Sequence, residues 1–250
     1  MSNVNIFNGV TFIVEKTNEA FHTYDDWELY VTNTDCIGEP KQYTKYIEIP
    51  GRNGMIDLSE ATSGRQTYIS RPIKIELGGV RYKTRWDSVI SDFRNHINGK
   101  ICRIIFDNDK SFYWRGRVSI KDFSSRLNYG VFTVDIPEAE PYKYSRFSSA
   151  EPWLWNPFNF ETDMITQIGA VVITDSGDIS IPHGHMATCP EIVVSDILSE
   201  SFKVTYDGTE YALTAGTNII PSIMVGGDSD VTLAFTGSAT VQIVYRAGSL

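Results

Sequence analysis

Residues 73–106 read IKIELGGVRYKTRWDSVISDFRNHINGKICRIIF, and this stretch decides the fold. Ile73, Ile75 and Leu77 alternate with Lys74 and Glu76, the period of two of a strand with one buried face. Gly78-Gly79 follows and is expected to end that strand. Trp86, Val89, Ile90, Phe93 and Ile97 then recur at i, i+3, i+4, i+7 and i+11, one face of a helical period. Thr84 is placed to cap this helix, with Asp87 three residues on as a variant of the capping box, and Gly99 is placed to stop it. Arg85, Asp87, Asp92, Arg94 and Asn95 make its polar face. Strand-like residues resume at Cys102, so the spacing predicts one amphipathic helix over 84–98 packed on an antiparallel sheet.

Outward from this stretch the chain reads as strands. Upstream, 4–7 and 10–14 flank Asn8-Gly9, a two-residue hairpin signal. Further candidates are 27–31 and 46–49, the latter closed by Pro50-Gly51. Downstream, 102–106 and 112–120 flank the turn Asp107-Asn108-Asp109-Lys110, and 130–136 completes a domain drawn over 1–145. Three prolines and several serines between 137 and 152 mark a boundary, with a linker over 146–160. The remainder, 161–250, offers short strands at 170–173, 191–194, 202–206, 210–213, 218–220, 231–235 and 240–245. Asp207-Gly208, Gly226-Gly227-Asp228 and Gly237-Ser238 read as hairpin turns between them. The expected fold class is mainly β: an N-terminal antiparallel β domain with one packed α-helix, then a C-terminal β-sandwich.

Composition narrows the function. The 250 residues are 42% hydrophobic and 21% charged, enough to bury a core. Against 31 Asp+Glu stand 22 Lys+Arg, a formal net charge of -9, which argues against gripping phosphate backbones as the main task. The charge is unevenly placed. Residues 1–145 hold 19 basic and 19 acidic residues, whereas 146–250 hold 3 and 12. Cys36, Cys102 and Cys189 are odd in number and far apart, which fits neither a disulfide framework nor a zinc pattern. The N-terminal residues lack a signal-peptide pattern, and no apolar run reaches membrane-helix length. The expectation is synthesis in a cytoplasm, with no membrane insertion. Thirteen Tyr, 13 Phe and 5 Trp against 4 His favour sheet packing and interfaces over acid–base catalysis.

Chemical constellations are sparse. Asp107-Asn108-Asp109 with Ser111 opens like a calcium loop, but Phe112 and Val118 stand where its Gly and Glu belong, so a polar turn is favoured. His183-Gly184-His185 has no third ligand at metal spacing. Gly227-Asp228-Ser229 resembles one hydrolase nucleophile block but lacks a base, and it falls where a turn is expected. Lys100 to Arg103 and Arg115-Gly116-Arg117 form a modest basic cluster, read as a solvated or interface strand rather than a nucleic-acid site. The aromatic run 152–160, with Trp153 and Trp155, docks a linker or, less often, stacks sugars. No catalytic residues, metal or cofactor are expected, and the chain is not read as an enzyme.

An ordered set of residues resembles the distal tail protein family of long-tailed phages of Gram-positive hosts. It begins at Asp57-Leu58-Ser59-Glu60, Gly64-Arg65-Gln66-Thr67-Tyr68 and Arg71. It continues through the helix, Asn98-Gly99-Lys100, residues 104–109, Phe112-Tyr113-Trp114-Arg115-Gly116-Arg117-Val118, residues 130–136 and Pro141-Tyr142. It thus covers most of 1–145.

The resemblance implies a structural hub of a phage tail tip or baseplate. Its N-terminal domains would form a homo-hexameric ring that joins the tail tube to the host-adsorption apparatus and passes DNA through its bore. It implies a galectin-like or carbohydrate-module-like sandwich in the C-terminal part, which matches here in strand pattern. The partners implied are the tail tube protein, tail-tip proteins and receptor-binding proteins, and the location is the virion. Ring contacts would fall on Asp57, Leu58, Glu60, Arg65, Tyr68, Arg71, Phe112, Trp114, Arg115 and Arg117. The rival reading is a carbohydrate-binding module on a virion or cell-surface scaffold. Its sugar contacts would be Trp153, Trp155, Tyr206 and Tyr211, with Tyr245 a further aromatic.

Overall fold

The computed structural model describes residues 9–61, 64–80, 83–125, 129–151 and 168–250, and for Lys83, Thr84, Arg85 and Ser125 the backbone alone. The chain divides into two compact units, Met1–Pro141 and Tyr142–Leu250. It is mainly β, with several antiparallel sheets and two helices among the described residues. The expected strand over 4–7 and residue Asn8 lie outside the described residues, as do 152–160 of the expected linker.

The first unit begins with β1 (Val10–Val14), β2 (Ala20–His22), α1 (Thr23–Trp27) and β3 (Tyr30–Val31). Next come β4 (Lys41–Gln42), β5 (Tyr46–Glu48), β6 (Met55–Asp57), β7 (Tyr68–Val80) and α2 (Lys83–Ile97). The unit ends with β8 (Ile101–Phe106), β9 (Phe112–Arg117), β10 (Ser119–Ser125) and β11 (Tyr129–Ala139). One sheet runs β2-β1-β8-β9, and a second runs β10-β11-β7-β3 with β4 also on β7. The buried positions of α2 are Trp86, Ile90, Phe93 and Ile97, as its spacing predicts. Phe93 meets Phe12 and Phe132 edge-on, with ring centroids 5.9 and 5.1 Å apart, so the helix joins one core with both sheets.

Four expectations need correction here. Residues 27–31 are not one strand. His22 Nδ1 accepts the Asp25 N–H at 3.2 Å, Asp25 and Asp26 suit the positive end of the helix, and Trp27 closes a short turn of helix. Glu28 then turns left-handed at φ 49°, and only Tyr30–Val31 is strand. Gly78-Gly79 does not end its strand: β7 runs on to Val80, and Gly79 faces Gly130 across the sheet. These glycines answer to packing: a Cβ on Gly78 would lie 2.8 Å from the Thr32 and Tyr129 side chains, and one on Gly130 2.5 Å from Trp86. Residues 112–120 break at buried Val118 into β9 and β10, which belong to different sheets. Finally, α2 begins at Lys83, so Thr84 lies inside the helix rather than at its cap. At the other end Gly99 turns left-handed at φ 76°.

The second unit opens with β12 (Lys143–Ser145), which pairs with the last strand, β21 (Gly248–Ser249). Between them lie β13 (Val171–Ile173), β14 (Ser176–Ile181), β15 (Glu191–Ser195) and β16 (Phe202–Tyr206). Then follow β17 (Thr209–Leu213), β18 (Gly216–Ile219), β19 (Val231–Thr236) and β20 (Ala239–Val244). Two four-stranded sheets, β13-β20-β15-β18 and β14-β19-β16-β17, enclose one core, the expected sandwich. Asp207-Gly208 is the expected hairpin turn, with both residues at positive φ. Gly237-Ser238 is not one. β19 and β20 lie in different sheets, so this turn carries the chain across the sandwich. Gly226-Gly227-Asp228 is a bend that joins no paired strands. β14 was not expected: SGDISI carries only Ile179 and Ile181 on its buried face.

Candidate functional site

The segment from residue 41 to 71 leaves the body of the first unit and returns to it. β4 pairs with the start of β7, opposite Ser70 and Tyr68. The chain then turns out into β5 and β6, which pair only with each other. Gly51 and Gly54, at φ 83° and 85°, form the turn of this hairpin. Its base is tied by polar contacts. Ser59 donates its N–H and hydroxyl to Asp57 Oδ1 at 2.8 and 2.5 Å, and Ser59 Oγ accepts the Lys45 N–H at 2.9 Å. These bonds from Ser59 hold the Asp57 carboxyl below its ordinary range.

The hairpin presents Tyr43, Tyr46, Ile47, Ile49 and Met55 to solvent, with Met55 65% and Tyr46 55% exposed. A two-stranded hairpin alone is marginal in water, and these five exposed apolar side chains leave it an uncovered apolar surface. Sequence reasoning read 46–49 as a strand and missed its partner. The signal was present in Met55-Ile56-Asp57, which follows the glycine-flanked turn.

Of the proposed contact residues, Asp57 and Glu60 are exposed, and Leu58, Arg65 and Tyr68 are half-buried. Arg71 and Trp114 turn inward. They are 7% and 4% exposed, and the Arg71 guanidinium sits 4.7 Å over the Trp114 ring. Burial lowers the Arg71 pKa from its ordinary value. This pair links β7 in one sheet to β9 in the other, a packing role that leaves neither side chain free to meet a partner. Phe112 and Arg115 are half-buried and Arg117 is exposed. Arg115, on β9, is clasped by two acids, Glu15 just past β1 and Glu140 just past β11. It donates Nε and Nη2 to Glu15 Oε1 and Oε2 at 2.5 and 2.8 Å, and Nη1 to Glu140. The bonds from Glu15 and Glu140 raise the Arg115 pKa despite burial.

The chemical candidates resolve as structure. Asp107 accepts the Gly9 N–H at 2.9 Å, lies 3.1 Å from His22 Nε2 and 3.4 Å from Lys110 Nζ, and so anchors a turn. His183 pairs with Asp230 at 2.7 Å on an exposed loop. Among the described residues no three His, Cys, Asp or Glu side chains gather as a metal site. Ser229 lies in an exposed bend. Burial pushes the Cys36 and Cys102 thiols up to about 11, which leaves them protonated and unreactive at neutral pH.

On the second unit, Tyr206 and Tyr211 share the core-facing side of β16 and β17 and pack on the sandwich core. Tyr206 donates to the Met224 carbonyl at 3.2 Å, and Tyr245 is 5% exposed. Trp153 and Trp155 lie outside the described residues. Among the described residues these tyrosines make no exposed aromatic platform.

This architecture, a helix-bearing antiparallel β unit followed by a sandwich of two four-stranded sheets among the described residues, is mainly β. No protein-family profile matches the chain, and no curated protein matches it by sequence. A solved structure does match: the Dit protein of phage SPP1, described as a paradigm of the hub adsorption apparatus in phages that infect Gram-positive bacteria. The TM-score is 0.60 at 12% identity, over 97% of this chain and 99% of that one. At that identity the likeness is one of fold.

Proposed function

We propose that this protein is a structural, non-enzymatic hub of a phage tail tip, resident in the virion and ringed as a homo-hexamer through its first unit. The observation that carries this reading is a fold shared with a tail hub protein over nearly the whole of both chains. The exposed apolar hairpin supports it, because a scaffold that meets its own copies needs surface the single chain leaves uncovered. Contacts between copies are assigned to the hairpin and to Asp57, Leu58, Glu60, Arg65 and Tyr68 at its return. The tail tube protein binds one face of the ring and tail-tip or receptor-binding proteins the other, with DNA passing through the bore. The acidic sandwich is the part offered to such accessory proteins.

Electron microscopy and native mass spectrometry of the purified protein with its neighbouring tail components test this. A six-membered ring is the expected result. A strict monomer under all conditions, with tail partners present, overturns it.

A further inference from the structure

An open groove of about 560 Å³ lies between the β1–β2 turn, the α2–β8 turn and the end of β9. Lys16, Lys100 and Arg117 line it with Thr17 and Gly99. Two acids stand beside them: Glu15 gives both carboxylate oxygens to Arg115, and Glu19 Oε2 accepts the Thr17 hydroxyl at 2.9 Å. Elsewhere on this unit cations find acids: Lys74 pairs with Glu76, Lys110 with Asp107 and Lys121 with Asp135. Among the described residues no carboxylate pairs with Lys16, Lys100 or Arg117.

Three like charges facing one open volume repel, and an anion placed among them relieves that repulsion. The backbone around Gly99 cannot serve as the donor. Gly99 N–H is committed to the Val118 carbonyl at 2.8 Å and Val118 N–H to the Lys100 carbonyl at 2.9 Å. The side chains can. Arg117 Nη1 donates to the Gly99 carbonyl at 2.6 Å, which fixes the guanidinium at the groove and leaves its other N–H donors open.

We propose that this groove binds a phosphate ester. A guanidinium fork and two ammonium groups suit an anion with several oxygens and close to two charges, more than they suit a planar carboxylate. Half-buried Ile101 gives the carbon side of the ester an apolar wall. The site sits on a single chain and does not depend on the assembly proposed above.

Calorimetric titration of the full chain at constant ionic strength tests it, with inorganic phosphate, glycerol 3-phosphate and acetate as probes. Saturable binding of both phosphates is expected, the ester tighter, with acetate weaker by at least about tenfold. Lys16→Ala and Lys100→Ala should each weaken the ester about tenfold, the scale of one charge-assisted hydrogen bond. Arg117→Lys, which keeps the charge and loses the fork, should weaken it less. Unchanged thermal unfolding of the variants shows that they remain folded. Absence of saturable phosphate binding, acetate bound as tightly as phosphate, or full affinity in the Lys16→Ala/Lys100→Ala double variant overturns the proposal.

Discussion

Arg115 draws on carboxylates from two directions, Glu15 at the end of β1 and Glu140 just past β11. All three side chains are about one-third exposed, so solvent screens the pairs and the clasp contributes on the order of 1–2 kcal/mol. Arg115→Ala should lower stability by about that amount at neutral pH. The sign with pH follows from Glu15, whose carboxyl the Arg115 hydrogen bond holds below its ordinary 4.5. A lowered carboxylate pKa stabilises the fold above the unfolded value, and that stability is lost as pH falls through the folded value. The gap in melting temperature between wild type and Arg115→Ala should therefore be full at pH 7 and narrow below about pH 4.5. A gap that stays constant to pH 3 refutes the assignment. Gly130 is a sharper residue-scale case. Its missing Cβ is filled by Trp86, at 2.5 Å from Cε2 and 2.8 Å from Cδ2, and Trp86 is fully buried with no room to retreat. Gly130→Ala should cost about 1–3 kcal/mol by overpacking, read as a lower urea midpoint at unchanged slope. A loss below about 0.5 kcal/mol would mean the helix shifts freely on its sheet.

Ser149 shows how one residue fastens a whole element. It is fully buried, donates Oγ–H to the Ile243 carbonyl at 2.7 Å and accepts the Tyr245 N–H at 2.9 Å, pinning the segment after β12 to the end of β20. Ser149→Ala orphans both backbone groups and should destabilise the second unit by about 1–3 kcal/mol, visible as earlier unfolding of that unit in differential scanning calorimetry. An unchanged trace rejects the pin. At this scale the sequence was legible where a pattern ran long enough to repeat. The α2 stripe from Trp86 to Ile97 and the β16–β17 hairpin around Asp207-Gly208 both announce themselves locally. Gly78-Gly79 misled because glycine signals a turn on its own chain, whereas here Gly78 makes room for the Thr32 and Tyr129 side chains and Gly79 for the Glu28 carbonyl. Residues 27–31 misled because a histidine cap and a left-handed Glu28, rather than any periodicity, decide that local path. Gly237-Ser238 looks like any hairpin turn, and only the partners of β19 and β20 reveal a change of sheet. Among the site residues, Arg71 has a surface-like identity, and only its stacking on buried Trp114 shows that it faces inward.

For the whole molecule, the ring proposed above turns on how one copy would meet the next. The first 145 residues balance 19 basic against 19 acidic side chains, so copies of this part can crowd together without net repulsion. Among the described residues, two groups of exposed apolar side chains stand far apart, with Ile37 and Ile69 also exposed. The β5–β6 hairpin extends from the Tyr68 end of β7, and the paired residues Val80 and Tyr129, 71% and 38% exposed, stand at the other end of that strand. Thirteen strand residues separate the two by about 40 Å at roughly 3.3 Å each. Two different patches so far apart suit head-to-tail contact, which closes into rings, better than a two-fold contact, which uses one patch twice. The double variant Ile47→Lys/Met55→Lys and the single variant Val80→Lys should each abolish rings. All three positions are exposed, so monomer stability should change by no more than about 0.5 kcal/mol. Mixed together, the two variants retain one intact hairpin and one intact Val80 patch between them. Sedimentation velocity should then show heterodimers from the mixture and monomers from each variant alone. If Val80→Lys still forms rings, the contact runs hairpin to hairpin or elsewhere, and the head-to-tail geometry is wrong.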